Sequence, residues 1–138
     1  MAKQTSLFLH TGINASGQQF TSGDTTTSKD LFTAGSNDSD LKVMSITSSD
    51  TATVNMQLFY YDGSTSYLIA TVRAVTLVGT DGAANTVDLL NSVASPFIAF
   101  DAAGKRFIPV KATHKIKGAC VVTMTTGTTN VMAIGYDY

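Results

Sequence analysis

Val54-Asn55-Met56-Gln57-Leu58-Phe59-Tyr60-Tyr61-Asp62-Gly63-Ser64-Thr65-Ser66-Tyr67-Leu68-Ile69-Ala70-Thr71-Val72-Arg73-Ala74 is the stretch that decides the fold class. Val54, Met56, Leu58 and Tyr60 alternate with Asn55, Gln57, Phe59 and Tyr61, which is the period of a strand and not of a helix. Asp62-Gly63-Ser64 reads as a hairpin turn, because Asp-Gly tolerates the positive φ that tight turns need. The return strand, Ser66 to Ala74, is expected to place Leu68, Ala70 and Val72 on one face and Tyr67, Ile69, Thr71 and Arg73 on the other.

Working towards the N-terminus, Gly35 to Asp40 is a turn or loop cluster, and Leu41 to Thr47 a strand with Leu41, Val43 and Ser45 on one face. Leu31 to Ala34 is a shorter strand, and Leu7-Phe8-Leu9 a first one that Thr11-Gly12 ends. Residues 14–30 are polar, with Phe20 as the sole large apolar anchor, and are expected to form a solvated edge, or an extended arm or loop.

Towards the C-terminus, Asn85 to Asn91 is the one plausible helix, of one or two turns, with Thr86 as its cap. Pro96 keeps Ser95 extended. Asp101 to Arg106 turns into a strand from Phe107 to Val110. Thr113 to Thr125 and Val131 to Tyr138 are two more strands, the first with His114, Ile116, Gly118, Cys120, Val122 and Met124 on one alternation. Met132, Ile134, Tyr136 and Tyr138 share a face of the second. About eight or nine short strands with regular turns predict an all-β fold, an antiparallel β-sandwich of jelly-roll type, with a small closed barrel as the alternative. At 138 residues the chain suits a single domain spanning 1–138.

Composition agrees. Only 14% of the residues are charged, against roughly a quarter in an ordinary domain, and Thr, Ser and Asn take their place. Threonine is stiff at χ1 and suits a pleated surface. The net charge of −1 offers no electrostatic capture of nucleic acid or of an anionic membrane. No stretch approaches the ~20 apolar residues of a membrane helix, and the N-terminal apolar run is too short for a signal peptide. A chain made in the cytosol without a secretory address is expected. The single cysteine, Cys120, excludes an internal disulfide and sits in an apolar run, as a small buried hydrophobe would.

Catalytic and metal-binding patterns are missing from the sequence. His10 has no acidic neighbour, and His114 lies among Lys111, Lys115 and Lys117, which disfavour a metal ion. The chain has no glutamate. Its aspartates sit mostly at turns, where Asp bonds its own backbone. Asp38-Ser39-Asp40 lacks the ligand spacing of a calcium loop. Phosphate-binding, dinucleotide and nucleophile-elbow motifs do not occur. The expectation is a protein that is not an enzyme and uses no cofactor.

The aromatic residues carry the remaining signal. Phe59, Tyr61 and Tyr67 are expected to form an aromatic strip on the outward side of the central hairpin, as a protein interface, a sugar-stacking platform or internal packing. Tyr136 and Tyr138, in a terminal strand, suggest an end tied into a sheet or against a partner. With Phe20 on the polar segment, these make the candidate interface set.

The words Leu7-Phe8-Leu9-His10-Thr11-Gly12, Gly17-Gln18-Gln19-Phe20-Thr21, Leu58-Phe59-Tyr60-Tyr61, Leu68-Ile69-Ala70-Thr71-Val72, Val87-Asp88-Leu89-Leu90-Asn91, Asp101 to Phe107 and Val131 to Tyr138 resemble small virion structural proteins of tailed bacteriophages, of the head decoration (cement) type. The resemblance implies a protein made in the bacterial cytoplasm that binds the outside of the assembled head. Its implied partners are the major capsid protein and further copies of itself, as a trimer or a dimer. It transfers no catalytic residue. A carbohydrate-binding or adhesin-type module and a tail or connector component are the alternatives.

Overall fold

The computed structural model describes residues 11–74, 76–80, 84–91 and 99–138. Eight main strands form in chain order: β1 (Gly12–Thr21), β2 (Lys29–Thr33), β3 (Ser39–Ser48), β4 (Val54–Tyr61), β5 (Ser66–Ala74), β8 (Arg106–Val110), β9 (Lys115–Cys120) and β10 (Thr128–Asp137). Two-residue strands β6 (Val87–Asp88) and β7 (Ala99–Phe100) lie between β5 and β8. One sheet, here sheet A, has the order β1-β10-β3-β8-β7, with β6 on β3; the other, sheet B, has the order β2-β9-β4-β5.

All the pairs are antiparallel, and they nest. β1 pairs with β10, β2 with β9, β3 with β8 and β4 with β5, as if one long hairpin had been laid out from its tip. Rolling that double ribbon up brings β10 against β3 and β9 against β4, which closes the two sheets. This is the winding of a jelly roll.

Between the sheets lies one core, whose largest fully buried members include Phe20, Phe32, Leu41, Met44, Ile46, Met56, Ile108 and Ile116. Val54, Met56 and Leu58 point into it in turn, as the period-two reading requires.

Three bulges move side chains away from simple alternation. Lys42 is an extra residue on β3: Val43 pairs with Ile134 and Leu41 with Gly135. Leu41, Met44 and Ile46 therefore face the core while Val43 faces out, so Leu41, Val43 and Ser45 do not share a face. Ile69 is extra on β5, because Leu58 pairs with Ala70 and Phe59 with Leu68. Leu68 is consequently exposed and Ile69 packs on the core, the reverse of the expected faces. Leu31 is extra on β2, which lets the adjacent Leu31 and Phe32 both be buried.

Other expectations also change. The polar segment 14–30 is a solvated edge and no loose arm: it contains most of the edge strand β1, a single 3-10 turn at Ser22–Asp24 and the start of β2, the edge strand of the other sheet. Its polar side chains seal a corner of the sandwich. Asn14 donates to the Thr33 carbonyl at 2.8 Å, Ser16 donates to that of Leu31, and Lys29 donates to that of Gln19 at 2.7 Å. The expected helix at 85–91 is β6 followed by one 3-10 turn, Leu89–Asn91, where Asp88 accepts from the Leu90 amide. β9 ends at Cys120 instead of running to Thr125, and Val122 is exposed. The strand at Leu7–Leu9, His10 and the Ser95-Pro96 pair lie outside the described residues.

Candidate protein interface

The outer face of sheet A is built from three adjacent long strands. β1 contributes Ile13, Ala15, Gly17 and Gln19; β10 contributes Tyr136, Ile134, Met132 and Asn130; β3 contributes Val43, Ser45 and Thr47. The register makes rows across the strands: Ile13 beside Tyr136; Ala15, Ile134 and Val43; then Gly17, Met132 and Ser45. Ile13 is 72% exposed, Met132 48% and Val43 46%, which are high values for large apolar side chains. Gly17 is small enough for Met132 to lie across it: a Cβ there would stand 2.8 Å from the Met132 sulfur. None of these positions is charged. Ile13, Ala15, Gly17, Val43, Met132, Ile134 and Tyr136 thus adjoin as an apolar field, bordered by the polar Gln19, Asn130, Ser45 and Thr47 and by Asp88 beside Ser45; exposed fields of this kind are common at contact surfaces.

Charge begins at the margin. The bulge residue Lys42 reaches between Asp40 at 3.6 Å and Asp101 at 3.7 Å, with its ammonium 4.3 Å from the centre of the Phe107 ring. Tyr138 donates to Asp40 at 2.5 Å, and that bond is the main reason its phenol pKa is pushed up to about 12. Asp38, Asp40, Tyr60, Lys111 and Tyr138 line a hollow of about 300 Å³ beside this margin. Its groups have structural duties: Asp38 accepts from the Ala112 amide, and Tyr60 accepts from that of Lys111 and bonds His114 Nδ1 at 2.9 Å. His114 thus anchors the turn before β9.

The structure disperses the aromatic set that the sequence brings together. Phe20 is 1% exposed and packs in the core, because β1 is a true strand and Phe20 is on its inward side; it is not an interface residue. Phe59 and Tyr61 lie half-buried on the outer face of sheet B. Tyr67 pairs with Tyr60 and so projects from the opposite side of that sheet, since the bulge at Ile69 shifts it. Its hydroxyl donates to Asp62. The single strip of Phe59, Tyr61 and Tyr67 therefore does not form. Tyr136 lies on the apolar field and Tyr138 at its margin.

Ile13 and Val43 were not visible as surface residues from the sequence. Ile13 sits in a segment that reads as polar, and Val43 changes sides through a bulge that hydrophobic periodicity does not encode. That Met132, Ile134 and Tyr136 share a face was legible from alternation; that the face points outward was not.

On sheet B, Asp30 holds Lys115 at 2.6 Å and Lys117 at 3.5 Å, and the Lys115 hydrogen bond holds the Asp30 carboxyl below its usual range. One carboxylate thus faces two of the three lysines of the basic stretch. Burial pushes the Cys120 thiol up, which suits a packed and unreactive side chain. Among the described residues no group of His, Cys and Asp side chains is arranged to hold a metal ion, and no helix is long and apolar enough to cross a membrane. No protein-family model, curated protein or solved structure matches the chain.

Proposed function

We propose that the protein is a bacteriophage head decoration protein, acting by binding alone, which seats the outer face of sheet A against the outside of the assembled capsid. Ile13, Val43 and Met132, exposed on three adjacent strands with no charge among them, are the observation that carries this reading. The resemblance of its sequence words to virion structural proteins supplies the class of partner, the major capsid protein. A protein that binds only the assembled lattice stabilises it by mass action. Several copies joined in one oligomer multiply weak contacts through avidity.

The test is the heat-induced release of DNA from heads with and without the protein. Native protein raises the release temperature. Val43→Lys and Met132→Lys, which place a charge in the apolar field without touching the core, abolish that rise and the binding behind it. Identical release temperatures with and without the native protein would remove the proposal.

A further inference from the structure

The outer face of sheet B, on the other side of the sandwich from the apolar field, carries an open trough of about 410 Å³, within the range of small-molecule sites. Thr26 and Ser28, from the turn before β2, border it at one side, Ser66 of β5 at the other, and Gln57, Phe59 and Ala119 form its floor. The side chains of Thr26, Ser28, Gln57 and Ser66 make no hydrogen bond to any other described residue. Some other surface hydroxyls do bond within the protein, as Thr51 does with Thr126 and Ser49 with Thr128. The trough thus gathers uncharged donors and acceptors around one aromatic ring.

We infer that this trough binds a neutral oligosaccharide, with Phe59 as the stacking platform and Gln57 as the central hydrogen-bonding group. Three features select that class. No charged side chain lines the trough, so an ionic ligand would lose water there without a counter-charge among the lining groups. A ring flanked by amide and hydroxyl groups matches a pyranose, which has an apolar C–H face and hydroxyls at its rim. An extended peptide needs unpaired backbone, and here the floor strands are fully occupied: Gln57 pairs with Ala119 and Phe59 with Lys117 across β4 and β9. Tyr61 is less suited to stacking, because Lys117 stands 4.7 Å over its ring.

The inference rests on sheet B alone and is independent of the capsid interface on sheet A. It is tested by titrating the isotope-labelled protein, followed by NMR, with maltohexaose, cellohexaose, chitohexaose and laminarihexaose, and with an extended neutral peptide as comparison. At least one sugar is expected to give saturable shifts at Gln57, Phe59, Ala119 and Val121. Gln57→Ala and Phe59→Ala each weaken that binding about tenfold, while Val43→Ser on sheet A leaves it unchanged. Gln57 lies at the surface, so its variant remains informative should Phe59→Ala fold poorly. The inference is overturned by the absence of saturable shifts from every sugar up to about 10 mM, a weak-binding limit. Sugar shifts that survive both substitutions, or saturation by the peptide alone, would overturn it equally.

Discussion

Asp50 shows how much of this fold hangs on single polar residues. It is 0% exposed and lies between β3 and β4, yet its carboxylate accepts from the Ala52 amide at 2.8 Å and from the Thr125 amide at 2.9 Å. It therefore staples two turns that are distant in sequence, beside the buried Ser48–Thr129 hydroxyl pair. Asp50→Ala leaves these amides without their acceptor and is expected to cost about 3 kcal/mol in urea unfolding; a loss below about 1 kcal/mol would contradict the staple. Gly135 meets a different demand. A Cβ there would stand 2.5 Å from the Asp40 carbonyl oxygen and 2.8 Å from the Phe32 ring, so Gly135→Ala is expected to lose about 1 to 3 kcal/mol by overpacking, read from the same unfolding curves. Asp62 caps the central hairpin by accepting from the amides of Thr65 at 2.7 Å and Ser64 at 2.9 Å, which lower its pKa from 3.8 to about 2. Because the folded value is depressed, this contribution is complete above the unfolded value and fades as pH falls through the folded one. The amide shifts of Ser64 and Thr65 should titrate with a midpoint near 2, whereas a midpoint at 3.8 would show the cap to be idle.

At the scale of elements, the β4–β5 hairpin was legible in type and in turn, and Ala70 and Val72 lie inward as read, but Ile69 takes the inward place read for Leu68. Alternation identifies a strand and cannot locate the inserted residue that reverses it. The bulge makes a sharp prediction. Leu68→Ser should change stability by no more than about 0.5 kcal/mol, as at an ordinary surface site, while Ile69→Ser should cost about 1 to 2 kcal/mol through lost burial. The opposite order would restore the simple alternation. β1 was illegible for another reason. Its inward positions near the start, Asn14 and Ser16, reach across the corner to the carbonyls of β2 instead of filling the core, so the strand lacks an apolar stripe until Phe20. Removing these bonds with Asn14→Ala and Ser16→Ala should speed amide exchange along β1. β10, held between β1 and β3, should keep its protection. Equal acceleration in both strands would mean that the corner bonds do not hold the edge.

For the whole molecule, the sandwich class follows from the number of short strands and the turns between them, but the nested pairing does not, because every partner of β1, β2 and β3 is distant in sequence. The candidate interface was half legible for the same reason: Met132, Ile134 and Tyr136 share a strand, while Ile13 and Val43 join them only when β1 and β3 flank β10. That convergence is the central claim, and methionine chemistry reads it directly. Met132 is 48% exposed, whereas Met44, Met56 and Met124 are buried, so mild peroxide should oxidise Met132 well ahead of those three in the free protein. For the proposed decoration role, the deciding measurement is the rate of Met132 oxidation with and without assembled phage heads of the proposed partner capsid protein. Strong protection of Met132 on the heads is the predicted result. Oxidation of Met132 at an unchanged rate in protein that has sedimented with the heads would contradict the account.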